Sequence, residues 1–80
     1  MRYTVIWTPD ALDQLADVWL RATNRNAVTR AAYQIDQILR DDPDSKGVDF
    51  YGDRLLVVTP LQVIFVTRPD DRLAEVQQVW

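Results

Sequence analysis

The sequence has no cysteine and no histidine, and only two glycines among its 80 residues. Without cysteine, no disulfide can staple the fold, and no thiolate can bind metal or attack a substrate. Without histidine, the side chain best suited to proton transfer near neutral pH is missing. Long apolar runs are absent too. The uninterrupted stretches are a few residues long, against the roughly 20 that a membrane-spanning helix needs. Met1-Arg2-Tyr3-Thr4 leads straight into a strand pattern, so the reading expects no signal peptide, no membrane partner and a cytoplasmic location. Positive charge is also scarce. Nine Lys and Arg stand against twelve Asp and Glu, a net charge of −3. An acidic chain has no global attraction for nucleic acid, so any such role would need a local basic patch.

What is present supports one small folded domain spanning residues 1–80. Hydrophobic residues make up 48% of the chain, enough for a core that offsets the cost of ordering the backbone. A chain of this length hides only about 60% of its unfolded surface, so that core has little margin.

The pattern predicts an α+β layout. Residues Arg2 to Trp7 alternate and are rich in β-branched and aromatic types, which predicts a strand. Thr8-Pro9-Asp10 then signals a helix start, with Thr8 as cap, Pro9 at the first helical position and Asp10 complementing the helix dipole. The first helix is predicted over Pro9 to Arg21, with Leu12, Leu15, Ala16 and Trp19 as its buried stripe. The second is predicted over Arg25 to Asp41, with Val28, Ala31, Ala32, Ile35, Ile38 and Leu39 facing the core. Asn24 or Asn26 caps it and Pro43 stops it. The short connection makes the two helices an antiparallel hairpin.

Asp41 to Asp53 is polar and carries Pro43, Gly47 and Gly52, which reads as a loop. Three strands follow, Arg54 to Thr59, Leu61 to Arg68 and Arg72 to Trp80, turning at Pro60 and at Pro69-Asp70-Asp71. The expected sheet is therefore four-stranded, with both helices on one face and a three-stranded antiparallel meander at its end. Since a helical hairpin reverses the chain twice, the strand at Arg54 is expected to run antiparallel to the first. The apolar residues of the opposite sheet face then need a partner.

This order of elements resembles the RelE/ParE superfamily of bacterial toxins. "YTVIWTPDALDQLADVW" resembles the family's aromatic-rich first strand and capped first helix. "QILRDDPDSKG" resembles its exit from the second helix, and "YGDRLLVV" its glycine-then-arginine approach to the next strand. "LQVIFVTRPDDRLAEVQQVW" resembles its final hairpin. The resemblance covers essentially the whole chain. It implies the toxin of a type II toxin–antitoxin pair, held inactive by a cognate antitoxin. It also implies one of two targets: messenger RNA, cut on the ribosome without metal by basic side chains and an acid–base pair, or DNA gyrase. No cofactor is implied. Arg54 matches a basic position of the family and would hold the scissile phosphate, with Arg68 and Arg72 as a supporting basic lip. The chain departs from the nuclease pattern at Leu61-Gln62-Val63, where an arginine is usual, and at Val79-Trp80, where a histidine or tyrosine is usual.

Each candidate also has a structural reading. Arg54 could pair with Asp53 or Asp49, and Arg68 and Arg72 could be solvated turn charges beside Asp70 and Asp71. Trp80 could stack on a base or pack on the sheet, and Trp7 and Trp19 fall on apolar stripes that suit a core. Asp41, Asp42, Asp44 and Asp49 lack the spacing of a calcium loop. Tyr51 as an acid or base would need neighbours that the sequence does not show. Two other functions fit the same pattern: a nuclease-dead interaction module on this fold, and an unrelated α+β homodimer whose sheet faces bury against each other.

Overall fold

The computed structural model describes residues 2–80. β1 (Thr4–Trp7) leads into α1 (Pro9–Arg21) and α2 (Arg25–Arg40), and then come β2 (Val48–Phe50), β3 (Asp53–Val58), β4 (Leu61–Arg68) and β5 (Leu73–Val79). The strands form one sheet in the order β1-β5-β4-β3-β2. Both helices pack on one face of it, α1 chiefly on β5 and α2 across β1, β3 and β4. Among the described residues, no helix is long and apolar enough to cross a membrane.

The helix ends follow the capping chemistry. Thr8 Oγ1 accepts the Ala11 N–H at 3.1 Å, and Asn24 Oδ1 accepts the Ala27 N–H at 3.1 Å. Such caps satisfy backbone donors that have no partner within the helix. Arg25 closes the turn between the helices from outside. Its guanidinium donates to the carbonyls of Trp19 and Leu20, each at 3.2 Å, and lies 4.7 Å from the centre of the Trp19 ring. A cation there also suits the negative end of α1. α2 ends at Arg40. Asp42 then takes a left-handed backbone (φ 50) ahead of the buried Pro43, which starts a single 3-10 turn, Pro43–Ser45.

The sheet has five strands rather than four. The predicted loop contains β2, which pairs antiparallel with β3 through Val48↔Leu55 and Phe50↔Asp53. The extra strand changes the parity of the sheet. β3 runs parallel to β1, not antiparallel, because β2 has already reversed the chain once. β5 is then parallel to β1 and hydrogen-bonds to it directly. The β2–β3 turn is two residues long, with Tyr51 (φ 52) and Gly52 (φ 92) both at positive φ, the geometry that matches the twist of paired strands. Gly47 also has positive φ (69). A Cβ there would lie 2.5 Å from the Leu55 carbonyl oxygen, so the close approach of two backbones requires glycine.

β5 carries a bulge. Its register to β4 slips between Ile64↔Gln78 and Phe65↔Val76, leaving Gln77 as the additional residue. The bulge explains its imperfect alternation: Ala74, Val76 and Val79 are all buried, although Val76 and Val79 are three apart. Trp80 continues the pairing with Gln62, through bonds of 2.7 and 2.9 Å.

The core lies between hairpin and sheet, built on Phe65, Leu61, Val63 and Val76 from the strands and on Val28, Ala31, Ile35 and Leu39 from α2. α1 contributes differently from the prediction. Its only fully buried residue is Ala11, with Leu15, Val18 and Ala22 packing beside it. Leu12 and Trp19 are exposed on the outer side of the hairpin instead. With small Ala11 on its inner side and Ala22 just past its end, α1 can sit close to the sheet, and this turns the larger Leu12 and Trp19 outward.

Candidate functional site

Alternation along the strands divides the sheet into two faces. Leu56, Val58, Val63, Phe65, Ala74 and Val76 point at the helices. Ile6, Val48, Phe50, Leu55, Val57, Ile64 and Val66 point the other way, where no helix among the described residues packs, although Ile64 is itself buried. Val48 is 60% exposed and Val57 56% exposed. Gln62 and Gln78 stand beside Val57 and Ile64 on this face, and Glu75, paired with Arg68 at 3.6 Å, stands between Ile6 and Val66. The apolar stretch from Val48 and Phe50 through Leu55 and Val57 to Ile64 and Val66, with polar side chains around it, has the character of a protein-binding surface.

The three candidate arginines do not converge on one point. Arg54 shares a row with Asp49 and Phe65 on the helix side of the sheet. Its Nε donates to the Lys46 carbonyl at 2.8 Å, and Nη2 to the Gly47 carbonyl at 3.4 Å. It forms neither of the expected ion pairs, with Asp49 or with Asp53; it holds the chain where it approaches β2. Arg68 lies on the open face, three residues beyond Phe65 and therefore on the opposite side from Arg54. Arg72 sits at the β4–β5 turn with a left-handed backbone (φ 51), and its carbonyl accepts the Thr4 N–H at 2.8 Å. Gln62 occupies the open face of β4 at the stretch where the nuclease pattern has an arginine.

The acidic segment has a structural use that the sequence did not signal. Asp44 accepts hydrogen bonds from the Thr67 hydroxyl and, at 3.5 Å, from the Tyr3 hydroxyl. It thereby pins the 3-10 turn to β4 and to the residue ahead of β1. Burial raises the Tyr3 pKa above the ordinary value of 10.0; the Asp44 carboxylate beside the hydroxyl adds to this, and Arg72 opposes it. Among the described residues, no group of three or more Asp and Glu is placed to hold a metal ion.

The aromatic candidates also sort out. Trp7 packs against the core. Trp19 does not: its Nε1 donates to Thr29 Oγ1 at 3.2 Å on the outer side of the hairpin. Tyr51 is 94% exposed at the tip of the β2–β3 turn, edge-on to Phe50 with ring centres 4.9 Å apart. Trp80 is half exposed and lines an open cleft of about 720 Å³ between the hairpin tip and the β3–β4 turn, opposite Val18, Arg21 and Pro60.

A helical hairpin covering one face of a sheet whose first and last strands pair in parallel defines a particular class of small α+β domain. Two solved structures share it along nearly the whole chain. The RelBE2 toxin–antitoxin complex of Mycobacterium tuberculosis contains a chain with a TM-score of 0.78 at 13% identity, covering 100% of this chain and 91% of that one. The chromosomal ParDE toxin–antitoxin system of P. aeruginosa contains one with a TM-score of 0.73 at 12% identity, covering 98% and 94%. No protein-family model and no curated protein sequence matches the chain. The fold is RelE/ParE-like.

Proposed function

We propose that this chain is the toxin of a type II toxin–antitoxin pair, acting in the bacterial cytoplasm by binding its target and neutralised by a cognate antitoxin laid on the open sheet face. The uncovered apolar face carries the reading. Val48, Phe50, Val57 and Ile6 are exposed on it, and a face of this kind accepts the apolar side of a partner helix or strand. The like-folded chains of known structure come from complexes named for a toxin and its antitoxin, which supports the same partnership.

Of the two targets associated with the fold, DNA gyrase is favoured over ribosome-bound messenger RNA. Phosphate cleavage needs donors aimed together at the charge that develops on the scissile group. Here Arg54 is engaged by two backbone carbonyls, while Arg68 lies on the other face of the sheet beside Glu75.

Induced expression of the chain alone should arrest growth, and co-expression of a small protein encoded beside it should relieve the arrest. Unaffected growth would leave the alternative of an inactive interaction module. Val57→Asp should abolish that relief while leaving the fold intact, because the side chain is exposed. Replacing Arg54, Arg68 and Arg72 together by alanine should leave growth arrest in place. Loss of arrest in a folded triple variant would return the reading to RNA cleavage.

A further inference from the structure

One row of side chains crosses the whole open face of the sheet. Phe50 of β2 pairs with Asp53 of β3, Val66 of β4 pairs with Glu75 of β5, and Glu75 pairs with Ile6 of β1. One step along from the Arg54↔Phe65 pair, Asp53 stands beside Val66. The row therefore runs Phe50, Asp53, Val66, Glu75, Ile6, with apolar and acidic side chains in alternation. The neighbouring row, Val48, Leu55, Ile64 and Gln78, carries no charge.

The two carboxylates of this row differ in their partners. Glu75 is paired with Arg68 at 3.6 Å and accepts the Gln77 side-chain amide at 3.0 Å. The ion pairs among the described residues are Arg21–Asp17, Arg40–Asp36 and Arg68–Glu75, so Asp53 belongs to none of them. Arg54, its neighbour in sequence, points to the helix side and is held by the Lys46 and Gly47 carbonyls. A segment that covers this face displaces the water around Asp53. A carboxylate enclosed there without a cation is strongly unfavourable. The occupant must therefore bring a positive charge to this position. A nucleic acid would instead set phosphates against Asp53 and Glu75.

The surroundings of Asp53 select the kind of cation. Phe50 stands directly opposite it and is 37% exposed, and Tyr51, almost wholly in solvent, lies edge-on to the Phe50 ring. A guanidinium takes a carboxylate through two parallel hydrogen bonds and stacks on aromatic rings. An ammonium is a strongly hydrated point charge and matches this setting less well. We propose that Asp53, Phe50 and Tyr51 form a recognition site for one arginine side chain of the protein segment that lies on the open sheet face. Apolar side chains flank that arginine, because Val66 and the row of Val48, Leu55 and Ile64 lie beside the site. The proposal takes from the toxin reading only that a protein segment covers this face.

The probe is a tripeptide with arginine between two valines, blocked at both ends and titrated into the isotope-labelled chain under NMR observation. The amide signals of Phe50, Tyr51, Gly52 and Asp53 should shift saturably, with a dissociation constant in the millimolar range expected of a single side chain. The lysine version should bind severalfold more weakly. The citrulline version, which keeps the shape and loses the charge, should bind about tenfold more weakly or less. Asp53→Asn should weaken arginine binding about tenfold, while the remaining signals stay in place and show the fold intact. Asp53→Glu should retain most of the binding. Tyr51→Asn, which suits the turn, should narrow the difference between arginine and lysine. The absence of saturable shifts would overturn the proposal, as would shifts centred on other carboxylates such as Asp13 and Asp17. Equal binding of the citrulline version, or an Asp53→Asn or Tyr51→Asn chain that behaves as wild type, would overturn it too. Growth plays no part in this measurement. Its failure leaves the toxin reading standing, and a chain that does not arrest growth leaves this site standing.

Discussion

Gln14 of α1 accepts the backbone N–H of Val79 in β5 at 2.7 Å, bridging the first helix and the last strand. β1 covers β5 only as far as Trp7↔Val76, where the chain turns away into α1. Beyond that point β5 has no strand on that side, and Val79 is buried. The Gln14 side chain supplies the acceptor that a longer β1 would have supplied.

Removing that acceptor leaves a buried donor without a partner, which costs about 1–3 kcal/mol. Gln14→Ala should therefore lower stability to urea by that amount. Gln14→Glu, which keeps an acceptor, should lower it less. Equal losses in the two variants would show that the bond contributes nothing specific.

Gly47 and Gly52 both have positive φ but differ in their surroundings. Gly52→Ala meets open space and should cost only the backbone preference, about 1–2 kcal/mol. Gly47→Ala adds a clash with the Leu55 carbonyl, which lies in strand backbone and cannot move aside. Its thermal midpoint should fall clearly further than that of Gly52→Ala.

Tyr51 holds a left-handed backbone with its side chain almost fully in solvent. Asparagine adopts that conformation more readily, and Asn-Gly is the preferred pair for such a turn. Tyr51→Asn should raise stability by about 1 kcal/mol or less, a part of the roughly 1–2 kcal/mol that left-handed backbone costs a residue with an ordinary side chain. If growth arrest is lost in this more stable variant, the exposed tyrosine belongs to the target-binding surface.

Tyr3 ties stability to alkaline pH. Its pKa is raised in the folded chain, first by burial and then by Asp44. The folded state thus holds the phenolic proton more tightly than the unfolded state does. That contribution is complete below the unfolded value near 10 and is lost as pH rises through the folded value. The thermal midpoint should drop above pH 10 more steeply in the wild-type chain than in Tyr3→Phe. Parallel curves would remove Tyr3 as the cause.

Much of the layout was legible because it depends on local chemistry. Thr8-Pro9 and Asn24 fix the helix starts, and α1 and β4 run between the residues their patterns predicted. β2 was hidden because three residues carry too little alternation to stand out from a loop, and because Tyr51-Gly52 is not the usual residue pair for its turn. The buried side of α1 was misread because the helix has two apolar stripes. The larger residues lie on the outer one, whereas small Ala11 permits close packing inside. Arg54 could not be placed because its partners are backbone carbonyls, which leave no mark in a sequence. The open apolar face was legible as a consequence of strands apolar on both sides, but its width depended on β2.

The parallel pairing of β1 with β5 imposes an order on synthesis. Thr4 leaves the ribosome long before Leu73, its partner in the sheet. Until then β1 has no strand beside it, and the helical hairpin has no β5 for α1 to cover. Joining segments so distant along the chain is slow compared with forming the hairpin, whose contacts are local. A nascent copy therefore has no finished sheet face to present. Whatever that face binds, partner or target, it meets the complete face only once β5 is in place.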